Sequence, residues 1–501
     1  MDRATLAARI QGILRSRPKT AGRDGEGCPV AQGERTRLCE ADEGAAFAQR
    51  CEADAAAGTV LEVLGGEVRQ GQAGACLVVE RSCEGARAHG REEIAGYAEA
   101  VRLATPALSL LTAGGDADGV PDPVTPLFFD LETTGLSGGA GTYAFLVGCG
   151  WFENDGFRTT QFFLRGYAEE RALLHAVAAF VRDFRRPLTT GHCPPITVVT
   201  YNGRSFDLPV METRYVLHRL VSPFAALQHL DLLFPARRLW QRRLVRAGSD
   251  RRAALSGLQP DPGSRASCAL TVLEEDILGF TREGDVPGWE IPGRYFAYTR
   301  SGDAQALEAV LEHNRLDLIS LGALTGVVAR MLAGRGEARD RWETLALARL
   351  LEFVGRSNEA ERHYRCAAEP DGLFEAALDA GARAEALRWL AVHYRRARRF
   401  LEAAEAWNRI LDLPRLEPAM RREALEALAM HHEHRARDLA AARRFAVRAL
   451  DLARRGRGQE DLTHRVNRLA RKLAAAAGPA PADPAARTQA DLLNPPINPA
   501  S

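Results

Sequence analysis

The chain has 501 residues, of which 46% are apolar and 26% charged, so it has the composition of a globular protein and is too long for a single core. Its net charge of +1 excludes a protein that coats nucleic acid through bulk positive charge, but not one with a local basic groove. Nine cysteines without zinc-type spacing favour reduced thiols. No signal peptide or membrane span is evident, so we expect a cytoplasmic protein with no membrane partner.

Residues 1–120 carry the least information. Within them, EVLGGEVRQGQAGACLVVERS alternates apolar and polar residues around glycines, which predicts a small hairpin. The segment 114–126 is rich in Gly, Pro and Asp and predicts a linker or loop. We therefore expect a poorly defined N-terminal region with a small β segment.

Residues 121–332 show a regular order of elements. The apolar run before Asp130 predicts a buried strand, and it is followed by a predicted hairpin, an amphipathic helix and a second buried strand at 143–165, 169–184 and 196–201. This order predicts an α/β domain with a mixed sheet and flanking helices.

From about residue 338 the pattern becomes almost purely helical. A large-small-large motif recurs after 38 residues, with Tyr394, Ala403 and Trp407 matched by His432, Ala441 and Phe445. This period predicts stacked helical hairpins over 338–475, and it resembles tetratricopeptide repeats. The Pro- and Ala-rich tail, 476–501, is expected to be disordered.

Three acidic motifs follow one another in the α/β region. FFDLETTG places Asp130 and Glu132, separated by one residue, at the end of the first strand. YNGRSFDLP places Asp207 after the second strand, and the helical segment 307–324 carries His313 and Asp317 four residues apart on one face. A lone Asp-x-Glu is also common at solvated strand ends, so only the combination indicates a site.

Oxygen ligands of this kind suit Mg²⁺ or Mn²⁺ better than zinc. Clustered carboxylates without a cation would repel one another, and their pKa values would rise. The clustering of Asp130, Glu132, Asp207 and Asp317 therefore favours a bound divalent cation.

These motifs resemble the DEDD superfamily of 3′–5′ exonucleases, which has a ribonuclease H-like fold. Within it, ETTGLSGGAGT, TYNGRSFDLP, HLDLL, VPGWEIP and EHNRLDL are similar to the YprB-type branch, which adds C-terminal helical repeats. The resemblance implies hydrolysis with two metal ions, Asp130 bridging both and Glu132, Asp207 and Asp317 completing their shells.

The same resemblance implies roles for the residues around these carboxylates. His313 would be the general base, although it precedes Asp317 by four residues where the histidine branch of the superfamily has five. The competing role of His313 is to orient Asp317. Leu136 would wedge against the terminal base, and the amides of Thr133 and Thr134 would meet the 3′ end. Asn202 and Phe206 would also contact the substrate, Phe206 by stacking on a base or as a core residue.

The segment 236–254, ARRLWQRRLVRAGSDRRAA, contains seven arginines and one acid. Arginines beside an aromatic residue suit a phosphate backbone with a stacked base, so Arg237, Arg238, Trp240 and Arg242 are candidate substrate contacts. The alternative is a solvated helix face.

We therefore expect a metal-dependent 3′–5′ exonuclease that acts on single-stranded RNA or DNA. One alternative is a nucleic-acid-binding protein whose nuclease site is weak or inactive. Another is a scaffold in which the repeats bind a protein partner.

Overall fold

The computed structural model describes residues 60–113, 124–135, 139–184, 195–256, 268–334, 336, 338–369, 380–453 and 457–476, without the side chains of 245–256, 380 and 457. Most of the predicted linker and the predicted disordered tail lie outside these residues. None of the helices within these ranges has the length and apolar character needed to cross a bilayer.

A mixed sheet forms the centre of the fold in the described part of the chain. Its strand order is β1-β2-β7-β6-β5-β8-β9, in which β5 pairs in parallel with β8 and β8 with β9, while the remaining pairs are antiparallel. The strands are β1 Glu67–Gly71, β2 Gly74–Cys83, β5 Thr125–Thr133, β6 Ala144–Glu153, β7 Gly156–Phe163, β8 Ile196–Thr200 and β9 Gln228–Asp231, and β3 Ala88–His89 and β4 Glu92–Glu93 form a separate pair. The predicted mixed sheet is confirmed.

The apolar runs of the sequence explain which strands are central. Leu127, Phe128 and Phe129 of β5 are 0% exposed, and all five residues of β8 are buried. Strands covered on both faces need such continuous apolar runs, whereas alternation is enough at a solvated face. The first carboxylates therefore follow a fully buried run within a central strand of the sheet.

The N-terminal hairpin belongs to this same sheet. Strands β1 and β2 are antiparallel, as predicted, and β2 also pairs with β7, where Leu77 lies opposite Phe163. The small β segment expected as part of a separate N-terminal region is therefore an extension of the α/β domain, and the boundary expected near residue 120 does not divide the sheet.

Helices cover both faces of the sheet. They are α1 Ile94–Leu103, α2 Thr105–Ala113, α3 Glu170–Phe184, α4 Asp207–Leu217, α5 Leu233–Ser256, α6 Leu270–Leu273 (continued by a π-helical turn, Glu274–Leu278), α7 Ile291–Ser301 and α8 Gln305–Leu332. The predicted helices at 169–184 and 307–324 correspond to α3 and to part of α8. Helix α8 packs across β5 and β6 and so reaches the carboxylates at the end of β5.

The C-terminal region consists of stacked helical hairpins, as predicted. Its helices are α9 Arg341–Phe353, α10 Ser357–Ala368, α11 Ala380–Arg396, α12 Phe400–Leu411, α13 Pro418–His431, α14 Leu439–Asp451 and α15 Arg457–Ala476. Within each hairpin small and large residues are buried together, as with Ala360 and Tyr364 or Ala403 and Trp407. The tetratricopeptide identity of these hairpins stays a prediction.

One apolar core joins the two regions. It runs from Phe128 and Val199 in the sheet through Trp240 of α5 to Leu350 and Trp407 in the hairpins. Burial of so much shared apolar surface stabilises the junction, because it is removed from water only while the regions stay packed together. The predicted boundary between 332 and 338 is therefore a packed junction.

Candidate active site

Strand β5 places its two carboxylates on one side. Asp130 and Glu132 are two residues apart, so their side chains leave the same face of the strand. Asp130 lies opposite Gly148 of β6. A Cβ atom at residue 148 would clash with the side-chain amide of Asn314, so the glycine leaves the space into which α8 inserts this amide.

Asn314 connects α8 to the first carboxylate. Its side chain is 0% exposed, and its Nδ2 donates a hydrogen bond of 2.8 Å to Asp130 Oδ2. Its Oδ1 accepts from Gln161 Nε2 at 2.8 Å, and the same Nε2 donates to the Leu311 carbonyl at 2.7 Å. Because Oδ1 is held by Gln161, the amino group must face Asp130. One carboxylate oxygen of Asp130 is thereby fixed, while no hydrogen-bond partner of its Oδ1 is found among the described residues.

Asp207 is the first residue of α4 and is 5% exposed. The loop before it is held by Asp231 at the end of β9, whose carboxylate accepts hydrogen bonds from the amides of Asn202 at 2.8 Å and Arg204 at 3.2 Å. Asn202 itself has a left-handed backbone with φ of 65°, and it is exposed at the start of the loop. Asp231 therefore fixes the turn that brings Asp207 to the end of β5.

His313 and Asp317 share one face of α8, as their spacing predicts. Atoms of Glu132, His313 and Asp317 lie within 4.8 Å of one another, so that the three side chains could hold a metal ion. His313 Nε2 is 3.6 Å from Asp317 Oδ2, and its Nδ1 is 2.7 Å from Asp285 Oδ1. With Nδ1 bonded to Asp285, the Nε2 side of the ring faces the other two ligands.

Arg282 is a buried cation within this acidic group. Its side chain is 6% exposed, and it pairs with Glu274 at 2.6 Å, with Asp285 at 3.1 Å and with Asp317 at a shorter distance. Burial opposes the charge of Arg282, but these ion pairs outweigh it and raise the pKa of the guanidinium. Arg282 therefore stays protonated and occupies Oδ1 of Asp317, which leaves Oδ2 toward His313.

Among the described residues no ion pair within 4.0 Å is found for Asp130, Glu132 or Asp207, although the charge of Arg282 partly offsets the rise in the pKa of Glu132. Burial raises the pKa values of Asp130 and Glu132 well above their usual range, and the charges of Asp317 and Asp207 raise them further. Burial also raises the pKa of Asp207 to about 7, although hydrogen bonds from the amides of Asp207 and Leu131 partly offset the rise. These groups resist ionisation together, and a divalent cation would remove that cost. The oxygen-rich donor set fits Mg²⁺ or Mn²⁺.

The expected contacts near the TTG turn are only partly compatible with the structure. The Thr134 amide donates to the Tyr143 carbonyl at 3.0 Å, so the expectation that it meets a 3′ end was wrong. Thr133 is buried, and its hydroxyl donates to the Gly135 carbonyl at 3.0 Å. Leu136 lies outside the described residues.

Phe206 and Trp240 lie in or against the core. Phe206 is half-buried and packs on the apolar cluster that contains Met211, which favours its role as a packing residue. Trp240 is 0% exposed, and its Nε1 donates to Glu343 Oε1 at 2.8 Å. A fully buried ring cannot stack on a base, so the expectation for Trp240 was wrong.

The arginines of α5 form a group where this helix meets α9. Arg238 lies over the rings of Phe234 and Phe353, each at 4.4 Å, and Arg242 lies over Trp342 at 4.9 Å. Arg237 is exposed at the same surface. The side chains of Arg246, Arg251 and Arg252 lie outside the described residues.

Three site residues escaped the sequence analysis: Asn314, Arg282 and Asp285. Asn314 precedes Asp317 by three residues and so falls on the same helix face, a signal that was available. Arg282 and Asp285 lie in a connection without periodicity, and only the fold shows that it returns to α8. Their contribution could not be read from spacing.

Residues 127–329 match the model of the RNase_H superfamily. Over 224 residues the chain is 31% identical to a Bacillus subtilis (strain 168) protein described as "Uncharacterized protein YprB", an alignment that covers 44% of this chain and 46% of that protein. The chain thus spans about half the length of this curated relative. Both matches support the resemblance seen in the motifs to a YprB-type ribonuclease H-like domain.

Proposed function

We propose, from this ribonuclease H-like domain, that the chain is a metal-dependent exonuclease that shortens single-stranded RNA or DNA from the 3′ end. The observation that supports the proposal most strongly is the grouping of half-buried Asp130 and Glu132 with buried Asp207, since desolvation and neighbouring carboxylates raise the pKa values of all three. A fold retains such an arrangement at little benefit to stability, so a ligand of opposite charge is the simplest reason for it.

The cation that we propose is Mg²⁺ or Mn²⁺, with two ions expected. Asp130, Glu132, Asp207 and Asp317 would hold them, using carboxylate oxygens that Asn314 and Arg282 leave open. Such ions acidify an attacking water and stabilise the charge that develops on the phosphodiester. Asn314 and Arg282 would keep two of these carboxylates in a single orientation.

His313 is the proposed general base. Asp285 accepts a hydrogen bond from its Nδ1 side at 2.7 Å, which favours the tautomer with a free Nε2. That nitrogen would take the proton of the attacking water, and the Asp285 carboxylate would stabilise the imidazolium that forms. Burial opposes the charge of Asp285, yet its bonds to His313 and Arg282 lower its pKa, so this partner stays ionised.

A different aromatic residue from Trp240 is a candidate for base stacking. Trp289 is 79% exposed and lies four residues after Asp285, so its Cα atom is at most about 14 Å from that of Asp285, the partner of the proposed base. An exposed indole of this kind offers a stacking surface to any base. We assign Trp289 to the substrate strand, in place of the buried Trp240.

One observation favours a second candidate, a nucleic-acid-binding protein with a weak or inactive site. Arg282 pairs with Asp317 and so competes with a metal ion for one of its oxygens. We also propose, from the helical repeats, that the C-terminal region binds a protein partner. From the composition of the chain we propose a cytoplasmic location.

The test uses 5′-labelled single-stranded RNA and DNA oligomers with the full chain in Mn²⁺, Mg²⁺ or EDTA. The proposal predicts a ladder that shortens from the 3′ end, is lost in EDTA and is lost with Asp207→Asn. Glu308→Gln, an exposed acid on the same helix as Asp317, is the matched control and should keep full activity. Binding without cleavage in every metal would favour the second candidate, and internal cuts would contradict the exonuclease.

A further inference from the structure

A cavity of about 720 Å³ lies where α5 of the ribonuclease H-like domain meets α9 of the hairpins. Five of its eleven lining residues are arginines, and they come from both regions. Four arginines come from α5 and one from α9, beside an indole: Arg237, Arg238, Arg242, Arg243, Arg349 and Trp342. We call this cavity the junction pocket.

Its charges are poorly compensated within the described part of the chain. An acidic partner within 4.0 Å is found there for Arg242 alone, whose Nη2 is 4.0 Å from Glu385 Oε1. The Nε of Arg238 is buried and has no hydrogen-bond partner among the described atoms. Burial, together with the charge of Arg349, also lowers the pKa of Arg238. The pocket therefore holds like charges that an anion would stabilise.

Aromatic rings hold these cations in place. The guanidinium of Arg238 lies 4.4 Å from the ring centroids of both Phe234 and Phe353, which are adjacent rings 5.1 Å apart. Arg349 lies over Trp389 at 4.4 Å. Rings on one side of a guanidinium fix its plane but leave its edge donors free, and these donors fit phosphate oxygens in pairs. The donors are thus oriented before any ligand arrives, which lowers the entropic cost of binding.

Helix α5, which lines the pocket, begins beside the loop that carries Asp207. The carboxylate of Asp231 that holds the Asn202 amide also accepts from the Leu233 amide at 3.1 Å, where α5 begins. At 1.5 Å per residue, Arg237 and Arg243 lie about 6 and 15 Å from Leu233 along the helix axis. Tyr201 packs against the same apolar core as Leu233 and Ala236 of α5. Tyr201 directly precedes Asn202.

We propose that the junction pocket binds the backbone phosphates of a single-stranded nucleic acid whose end lies at the carboxylates. This inference rests on the proposed nuclease function and adds a second contact region, shared by the two parts of the chain. Phosphate is favoured over an acidic peptide because helix α5, which lines the pocket, begins beside the loop that carries Asp207. A phosphate backbone that spans the junction would also contact the arginines on both α5 and α9.

The experiment measures binding of fluorescein-labelled single-stranded oligomers by anisotropy, with the full chain in EDTA so that no cleavage occurs. The double variant Arg237→Gln/Arg243→Gln should bind roughly tenfold more weakly. For this variant, the slope of log K against the logarithm of the salt concentration should be shallower than that of the wild type by about 0.7 for each lost phosphate contact. Arg362→Gln/Arg396→Gln, at side chains that are 75% and 62% exposed outside the pocket, is the control.

Further variants separate charge from folding. Arg237→Lys/Arg243→Lys should restore most of the binding, and thermal unfolding should be unchanged in both Gln pairs. Arg349→Gln, on the other side of the junction, should weaken binding by a similar factor. Loss of binding only in variants that also unfold early would overturn the proposal.

Two other results would also overturn it: equal binding by the pocket variant and the control, or displacement of the oligomer by polyglutamate as effectively as by unlabelled oligomer. Because binding is measured without metal, the outcome does not depend on cleavage. If the pocket variant binds more weakly and the wild type does not cleave, the result would support the junction pocket and count against the nuclease. If the wild type cleaves and the pocket variant binds normally, the result would support the nuclease and count against the pocket.

Discussion

The acidic site and the junction pocket both crowd like charges, but they treat those charges differently. In the acidic site Arg282 neutralises part of the group, Glu274, Asp285 and Asp317, by direct ion pairs. In the junction pocket, aromatic rings orient the arginines, and a carboxylate at 4.0 Å is found only for Arg242 among the described residues.

This difference shows what each region still needs. An internal ion pair satisfies a charge permanently, whereas a ring fixes its direction and leaves it unpaired. Asp130, Glu132 and Asp207 are the carboxylates that the internal cation does not pair with, and they are the ones whose pKa values rise through burial and mutual repulsion. The account therefore expects a cation at one region and an anion at the other.

The largest effect is expected where the uncompensated acids are removed. Asp130→Asn or Glu132→Gln should lower kcat by at least about a thousandfold, because each removes a charged ligand of the cation. Cleavage of a labelled oligomer in Mn²⁺ measures the loss, with oligomer binding in EDTA as the check that the fold is intact. Activity within tenfold of the wild type would break the assignment of the acidic site.

A smaller effect is expected from the partner of the proposed base. Asp285→Asn should lower kcat by roughly 10- to 100-fold, since the imidazole of His313 loses the carboxylate that fixes its tautomer. KM and Mn²⁺ affinity should change little. The pH profile of kcat should shift in this variant, and an unchanged profile would mean that His313 serves only to orient Asp317.

Trp289 tests where the substrate lies between the two regions. Trp289→Ala should raise KM roughly tenfold with kcat nearly unchanged, because a stacked base is worth about 1–3 kcal/mol. Trp289→Phe keeps an aromatic face and should retain most of the affinity. Equal KM values for the Ala variant and the wild type would exclude stacking at this residue.

The smallest effect concerns stability and pH. The pKa of Asp207 is about 7 in the folded protein, mainly through burial, against about 3.9 for an unfolded aspartate. At pH values between about 3.9 and 7, the folded protein keeps a proton on Asp207 that the unfolded chain has released. The contribution of this proton to the free energy of unfolding is therefore complete below about pH 4, and it is lost as the pH rises through 7.

In EDTA, the melting temperature should accordingly fall by roughly 5 °C between pH 5.5 and pH 8. Asp207→Asn, which cannot ionise, should show a flatter dependence over the same range. Thermal unfolding followed by circular dichroism is sufficient. Parallel curves for the two proteins would show that Asp207 carries no such penalty.

Local pattern was sufficient for most of the fold. Buried runs such as Leu127–Phe129 have one stable environment, and spacing of three and four residues defined α3 and α8 before any contact was known. What pattern could not supply was long-range pairing. Nothing in the hairpin β1–β2 indicates that it would join β7, because edge pairing depends on which strand is left open.

The candidate site was predictable in part for the same reason. Its carboxylates stand at strand ends and on one helix face, where sequence spacing determines direction. Trp240 was misassigned because composition cannot tell an exposed face from a junction covered by α9. Arg282 and Asp285 were missed because they approach Asp317 and His313 through tertiary folding alone.

The most direct test of the central claim is a titration of the full chain with Mn²⁺ by calorimetry at pH 7.5 in two buffers of different ionisation enthalpy. We predict micromolar to sub-millimolar binding of up to two ions with release of protons, because desolvation and neighbouring charges raise the pKa values of these carboxyl groups. The double variant Asp130→Asn/Glu132→Gln should abolish both the binding of Mn²⁺ and the release of protons. Absence of binding at millimolar Mn²⁺, or equal binding by the double variant, would contradict the account.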